Sequence, residues 1–451
     1  MKEGMKFQLA ISALFVISTV GSAAYGQAVP AGIATIDTAP NALALDGILH
    51  YDLSASEIVQ LGYYGAGQVT ASSVLSGDVA YAAKSTTRPF SLTFAGGVIL
   101  PNQSGQGVTT YEDLSVSQGY TTRHWVFNVS DTFSFLPESP TTGLSGIPGV
   151  GDIGVVPIPG PGQGAAGGVL TVSGDRIGNS LNGSLERQIS PSTSISGAGS
   201  WTVLHFLGDS SEELNYAQTS GSVALNQRFN ARNSASVTAV YSTFDYSGPQ
   251  AGPADPNIET REINVSYQRI LSRTFSVTGS VGPEWVSSSN GALIPSALNV
   301  DGSASLIYTR KSTTASLGYT RGVNGGSGVL PGALSDSFLF AAGHPYGRNW
   351  VVSISGAYTR TAGLTSLPAL NSLQGITTST TTPVHEVYDT VYGGVEVRRR
   401  ISTNFSGYFN YTALDQSTNY SLGAQNVLSG TSQTFGIGIS FAPRSTSLGQ
   451  F

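Results

Sequence analysis

The chain predicts an all-β fold, a transmembrane antiparallel up-and-down β-barrel of about 18 strands, with about 16 as the alternative. Three observations predict it: scarce charge without long apolar runs, period-two alternation, and evenly spaced short turns. Charged residues make up 11% of the 451 residues and hydrophobic ones 40%, against roughly 25% charge in ordinary soluble domains. Past the amino end no segment approaches the ~18 unbroken apolar residues of a spanning helix, which excludes a helical membrane protein. Low charge with interrupted apolarity arises when one strand face meets lipid and the other meets water. A soluble sandwich would need a more charged surface.

In chain order, Lys2 and Lys6 precede an apolar run from Phe7 to Val20, and the small residues Ala23, Ala24 and Gly26 follow. This predicts a secretory signal peptide over 1–26, because the run is shorter than the ~20 residues needed to span a bilayer. Residues 27–46 are expected to form a periplasmic amino-terminal segment, too short for a plug domain. The chain contains no cysteine, so no lipid can be attached to one, and an envelope location fits.

The barrel is expected over 47–441. Turn signals recur at 84–88, 120–123, 190–193, 229–233, 270–274, 310–314, 344–348 and 398–403. An interval of roughly 35 to 40 residues equals two tilted strands, one tight turn and one longer loop. Arg88, Arg123, Arg187, Arg228, Arg269, Arg310, Arg348 and Arg398 lie in or beside these turns, which are expected to face the periplasm and the inner leaflet.

Between turns, Trp125, Phe127, Val129, Phe133 and Phe135 share one parity, and His124, Asn128, Ser130, Thr132 and Ser134 the other. Asp131 breaks this alternation and leaves the register there open. Phe275, Val277, Val281 and Trp285 oppose Thr278, Ser280 and Glu284; Trp350, Val352, Ile354 and Tyr358 oppose Ser353 and Ser355; Phe405, Phe409 and Tyr411 oppose Ser406, Tyr408 and Asn410. Such patterning places each set on one sheet face. Aromatic residues collect near both strand ends, as two interfacial girdles require. Residues 136–175 are Gly- and Pro-rich and are expected to form a long loop, either folded into the lumen or exposed. The Gly149 to Gly154 stretch formally matches a dinucleotide fingerprint, but prolines on both sides exclude the βαβ unit that the motif needs.

Nothing points to an enzyme. No Gly-x-Ser-x-Gly occurs, and the five histidines are scattered without metal spacing, so neither catalytic residues, nor a metal, nor a cofactor is expected. The net charge of −6 gives no footprint for nucleic acid. On the polar parity lie Asp78, His124, Asn128, Glu262, Glu284 and Asp301, the candidate pore-lining residues. Fixed acids in a confined lumen concentrate cations.

The last alternating run is Thr434-Phe435-Gly436-Ile437-Gly438-Ile439-Ser440-Phe441. The placing of Thr434, Gly436, Ile439 and Phe441 resembles the terminal-strand assembly signal of Gram-negative outer-membrane β-barrels, although there the aromatic residue ends the chain and here a tail, 442–451, follows. With the signal peptide and the hairpin spacing, the chain is similar to porin-like families. The resemblance implies residence among outer-membrane lipid and insertion by the barrel assembly machinery with periplasmic chaperones, and it leaves a homo-oligomer open. The expectation is a channel for passive diffusion of small polar solutes with weak cation preference. The alternatives are a closed structural or adhesive barrel displaying external loops, or an exopolysaccharide export component in which Tyr388, Tyr392 and Tyr408 line a sugar path.

Overall fold

Alternating apolar and polar residues favour extended backbone, because each strand can then satisfy two different surroundings at once. The computed structural model describes residues 48–443 and 446–447, apart from 63–68, 84, 86, 103–107, 138–174, 208–214, 248–256, 311, 327–329, 367–384 and 420–429. The expected signal peptide, the amino-terminal segment, most of the 136–175 loop and most of the 442–451 tail lie outside the described residues.

The strands are β1 (Ile48–Gly62), β2 (Val69–Ala82), β3 (Phe90–Pro101), β4 (Thr109–Thr121), β5 (Trp125–Pro137), β6 (Asp175–Ser190), β7 (Thr193–Phe206), β8 (Asn215–Asn230) and β9 (Asn233–Ser247). They continue as β10 (Ile258–Ile270), β11 (Phe275–Ser288), β12 (Ala297–Arg310), β13 (Thr313–Asn324), β14 (Ala333–Tyr346), β15 (Trp350–Ser366), β16 (His385–Arg400), β17 (Phe405–Thr418) and β18 (Gly430–Phe441), with a two-residue β19 (Thr446–Ser447). Each long strand pairs antiparallel with the next. β18 closes the ring on β1, from Leu53 opposite Phe441 to Gly62 opposite Ser432, and β19 pairs with Ile48 and Leu49. The result is a closed barrel of 18 long strands. Closure satisfies every ladder and leaves no sheet edge, the condition for crossing lipid with strands.

All the turn signals read from the sequence fall at one end of the barrel, between β2 and β3, β4 and β5, and so on to β16 and β17. The longer connections gather at the other end. Large apolar side chains stand exposed on the outer face, among them Leu53, Phe94, Val223, Val281, Leu317 and Ile437. The chain's four tryptophans all point outward and exposed: Trp125 and Trp350 beside short turns, Trp201 and Trp285 towards the long-loop end. The Arg187 guanidinium lies 5.1 Å from the Trp125 ring centre and Arg399 5.1 Å from that of Trp350, which pins cations to the short-turn girdle. An exposed apolar belt between aromatic rows on a closed barrel is a lipid-facing surface.

Register through β5 is regular, with Val116 opposite Asp131 and Asp131 opposite Leu181. Asp131 therefore lies on the outer, apolar face, and the break in the pattern is a real polar residue in the belt rather than a slip in pairing.

Candidate functional site

The inner wall is the candidate site, and strand parity builds it. Around the short-turn half it carries small hydroxyl residues in cross-strand pairs: Ser236 with Ser266 at 2.6 Å, Ser280 with Ser303 at 2.7 Å and Ser406 with Ser440 at 2.7 Å. Each hydroxyl finds its partner on the neighbouring strand, so the wall is polar without charge.

Carboxylates interrupt it, and in two places they meet across strands. On β10 and β11, Glu262 stands directly opposite Glu284, and Asp301 joins them from β12. The Asn264 amide donates to Asp301 Oδ1 at 2.8 Å and to Glu262 Oε2 at 3.2 Å, while the Val323 backbone N–H donates to Glu284 Oε1 at 3.3 Å. Glu262 and Glu284 are only 2% and 0% exposed. Across the ring, Asp52 on β1 stands directly opposite Asp78 on β2. Carboxyl groups placed directly opposite one another on a sheet repel when both are ionised. Among the described residues no group of three or more His, Asp or Glu side chains could hold a metal ion.

Asp113, Glu186, Glu386 and Glu396 also have inward parity. Against these acids, Arg398 is an inward basic residue near the short-turn end of β16. It bonds Glu396 at 3.2 Å and lies 5.7 Å from the Tyr408 ring centre.

Towards the long-loop end the wall turns apolar and buried. Phe244, Tyr246, Ile258 and Val286 pack with Leu293 and Ile294 from the β11–β12 connection. A turn in which the Leu293 and Ile294 N–H groups donate to the Asn290 carbonyl at 3.1 and 3.0 Å holds that pair inward. The β13–β14 connection reaches the same cluster: a Cβ at Gly325 would lie 2.6 Å from the Tyr216 ring of β8, and one at Gly332 2.4 Å from Ile258 of β10. Those strands are not its neighbours in the ring, so the described part of the connection folds inward against the wall. Each such apolar side chain contributes about 1.5–3 kcal/mol on burial, enough to hold the connections in place.

Of the candidate residues, Asp78, Asn128, Glu262, Glu284 and Asp301 have inward parity, and the Ser117 hydroxyl donates to Asn128 Oδ1 at 3.2 Å. His124 differs: it sits exposed in the turn before β5, not within the strand, because the chain is already reversing at Thr122–Trp125. Tyr388, Tyr392 and Tyr408 do point inward, but they are 0%, 4% and 3% exposed. Tyr408 covers Gly438, where a Cβ would lie 2.4 Å from its ring, and the Tyr392 hydroxyl sits over Gly394. Sequence reading passed over Asp52, Asp113, Glu386 and Glu396, although Glu386 and Glu396 share the parity of Tyr388 and Tyr392, and it read Arg398 only as a short-turn residue. It also passed over Leu293-Ile294, whose apolarity inside a Gly- and Pro-flanked loop was the available signal.

Phe441 ends β18 with its ring 5.0 Å from that of Phe405, and Thr434, Gly436 and Ile439 lie in the strand that closes the ring.

No protein-family model matches the chain, and no curated protein matches it. Among solved structures it is similar to Pseudomonas aeruginosa OpdQ, with 9% identity over 88% of this chain and 98% of that one and a TM-score of 0.39. A BenF-like porin from Pseudomonas fluorescens Pf-5 aligns at 10% identity over 89% and 99% of the two chains, TM-score 0.41. Acinetobacter baumannii OccAB3 aligns at 7% over 87% and 99%, TM-score 0.42.

Proposed function

We propose that the protein is a Gram-negative outer-membrane channel through which small polar solutes diffuse passively, with cations preferred over anions. The observation that carries this reading is the inner wall of a closed, lipid-belted barrel, on which Glu262, Glu284 and Asp301 cluster and Asp52 opposes Asp78. Asp78 lines the path, and Glu262, Glu284 and Asp301, buried in the inner wall, raise the local cation concentration; Asn128 is a neutral lining residue, and His124 marks the periplasmic rim. Thr434, Gly436, Ile439 and Phe441 form the segment that the barrel assembly machinery would read, delivered by periplasmic chaperones. The buried apolar cluster at the long-loop end favours one second reading, a barrel shut at its outer mouth that displays loops. Buried tyrosine rings leave no free face for stacking sugars, so the export reading draws no support from them.

Single-channel recording of refolded mature protein in a planar bilayer, followed by a reversal potential under a salt gradient, tests both. Stable current with a cation-selective potential is expected. An anion-selective potential overturns the cation assignment, and a folded barrel without current favours the shut barrel.

A further inference from the structure

Away from the short turns, the basic residues of the described strands are few: Arg176, Arg261, Arg321 and Arg360. The last two belong to a row of charge on the outer face. Register places Arg321 of β13 opposite Asp336 of β14, Asp336 opposite Arg360 of β15, and Arg360 opposite Asp389 of β16. One step nearer the membrane centre run Tyr319, Phe338, Tyr358 and Val391, of which the last three are exposed to lipid. A rise of ~3.3 Å per residue at a tilt of ~40° puts Arg360 ~25 Å above Trp350 of the short-turn girdle, which is the height of the apolar band. The row therefore lies where acyl chains give way to headgroups at the long-loop end.

Hydrogen bonds are unevenly shared along this row. Arg321 Nη1 donates to Asp336 Oδ1 at 2.8 Å and Oδ2 at 2.6 Å, and the Tyr319 hydroxyl donates to the same Oδ1 at 2.7 Å. The Tyr358 hydroxyl donates to Asp389 Oδ1 at 2.7 Å. Each carboxylate flanking Arg360 is thus engaged by another residue, and among the described residues no acceptor is bonded to the exposed Arg360 side chain. Arg261 on β10 differs: it also points outward, opposite Tyr241 and Trp285, but it holds Glu259 at 3.3 Å. A guanidinium presents five N–H donors in a planar fork that matches phosphate oxygens, and its long stem can carry it from the belt to headgroup level.

We propose that Arg360 is the centre of a binding site for a phosphate-bearing lipid of the outer leaflet, whose headgroup phosphate takes the open fork while its acyl chains lie along Phe338 and Tyr358. Lipid rather than a dissolved anion is the occupant because the fork stands on the lipid-facing wall, directly above aromatic rings that a small ion does not use. Arg321 neutralises Asp336, and the Tyr358 hydroxyl disperses the charge of Asp389, which lessens their repulsion of a phosphate. The site is independent of whether the lumen conducts.

The chain has no cysteine, so Ile354→Cys, exposed on the outer face ~15 Å below Arg360, takes a single bimane label. The labelled barrel is refolded in phosphatidylcholine vesicles holding a minor fraction of phosphatidic acid with brominated acyl chains, or of the matching brominated diacylglycerol, which lacks only the phosphate. Bromine quenches the label on contact. Phosphatidic acid is expected to quench about two- to five-fold more than diacylglycerol. Arg360→Gln should bring the two lipids level, whereas Arg261→Gln should leave the difference intact, each variant migrating as folded on a non-boiled gel. Equal quenching by the two lipids before any arginine is replaced, a difference that survives Arg360→Gln, or one that falls as far with Arg261→Gln would overturn the proposal. So would loss of the difference on adding excess inorganic phosphate, the mark of a site for a free anion.

Discussion

The two halves of the lumen are built from the same strands yet differ in kind. Near the short turns, Ser234 on β9, Gln268 on β10 and Thr278 on β11 are partly exposed. Further along those strands Ser242, Thr260 and Glu284 are at most 2% exposed, and Phe244, Ile258 and Val286 join an apolar cluster. The difference teaches where selectivity is set. In the wide half a charge is hydrated and screened beyond ~10 Å at ordinary salt, whereas in the filled half it acts at short range through a poorly hydrated medium.

The comparison breaks most directly at the apolar cluster. Leu293→Ser with Ile294→Ser removes its loop contribution, and if those residues narrow the path, single-channel conductance should rise by about two- to five-fold. Unchanged conductance would place the path elsewhere. Next in size is the effect of the carboxylates. Glu262→Gln, Glu284→Gln and Asp301→Asn together should lower the cation-to-anion permeability ratio by about threefold, while Asp52→Asn with Asp78→Asn should lower it less. Repeating both reversal potentials at high salt sharpens the contrast, because screening should erase the second difference before the first. If the two sets behave alike at every salt concentration, the halves are electrically equivalent.

A packing test comes third. Gly438→Ala puts a Cβ 2.4 Å from the Tyr408 ring and 2.8 Å from the Ala55 carbonyl oxygen. It should cost about 1–3 kcal/mol, since overpacking displaces a ring with no free space behind it. Alanine at Gly393, which has no neighbour within 4 Å, should leave the heat-induced mobility shift almost unmoved. The smallest effect is expected from Arg398→Ala, which removes an inward cation and should raise cation selectivity slightly without a step in conductance.

Much of the architecture is legible in the amino-acid pattern. The parity sets of β5, β11, β15 and β17 lie on the faces that alternation assigns them, and every turn signal marks a short connection. His124 was misplaced because parity extends past a strand's true end, and only hydrogen bonding shows where the ladder stops. The acid cluster is half legible: Glu262, Glu284 and Asp301 each read as inward. Their meeting does not, because it depends on the register of three neighbouring strands, and register is set by pairing.

By itself the amino-acid sequence determined the strand-forming periodicity, the polar inner and apolar outer faces, the turns and the barrel class. These follow from the local demand that each residue meet the solvent on its own side of the sheet. Only the tertiary structure decided that β18 closes on β1, that Asp52 opposes Asp78 and Glu262 opposes Glu284, that Arg360 stands between Asp336 and Asp389 on the outer face, and that two connections fold into one end of the lumen. Those contacts join residues remote along the chain, and ring closure with its strand-to-strand register is what brings them together.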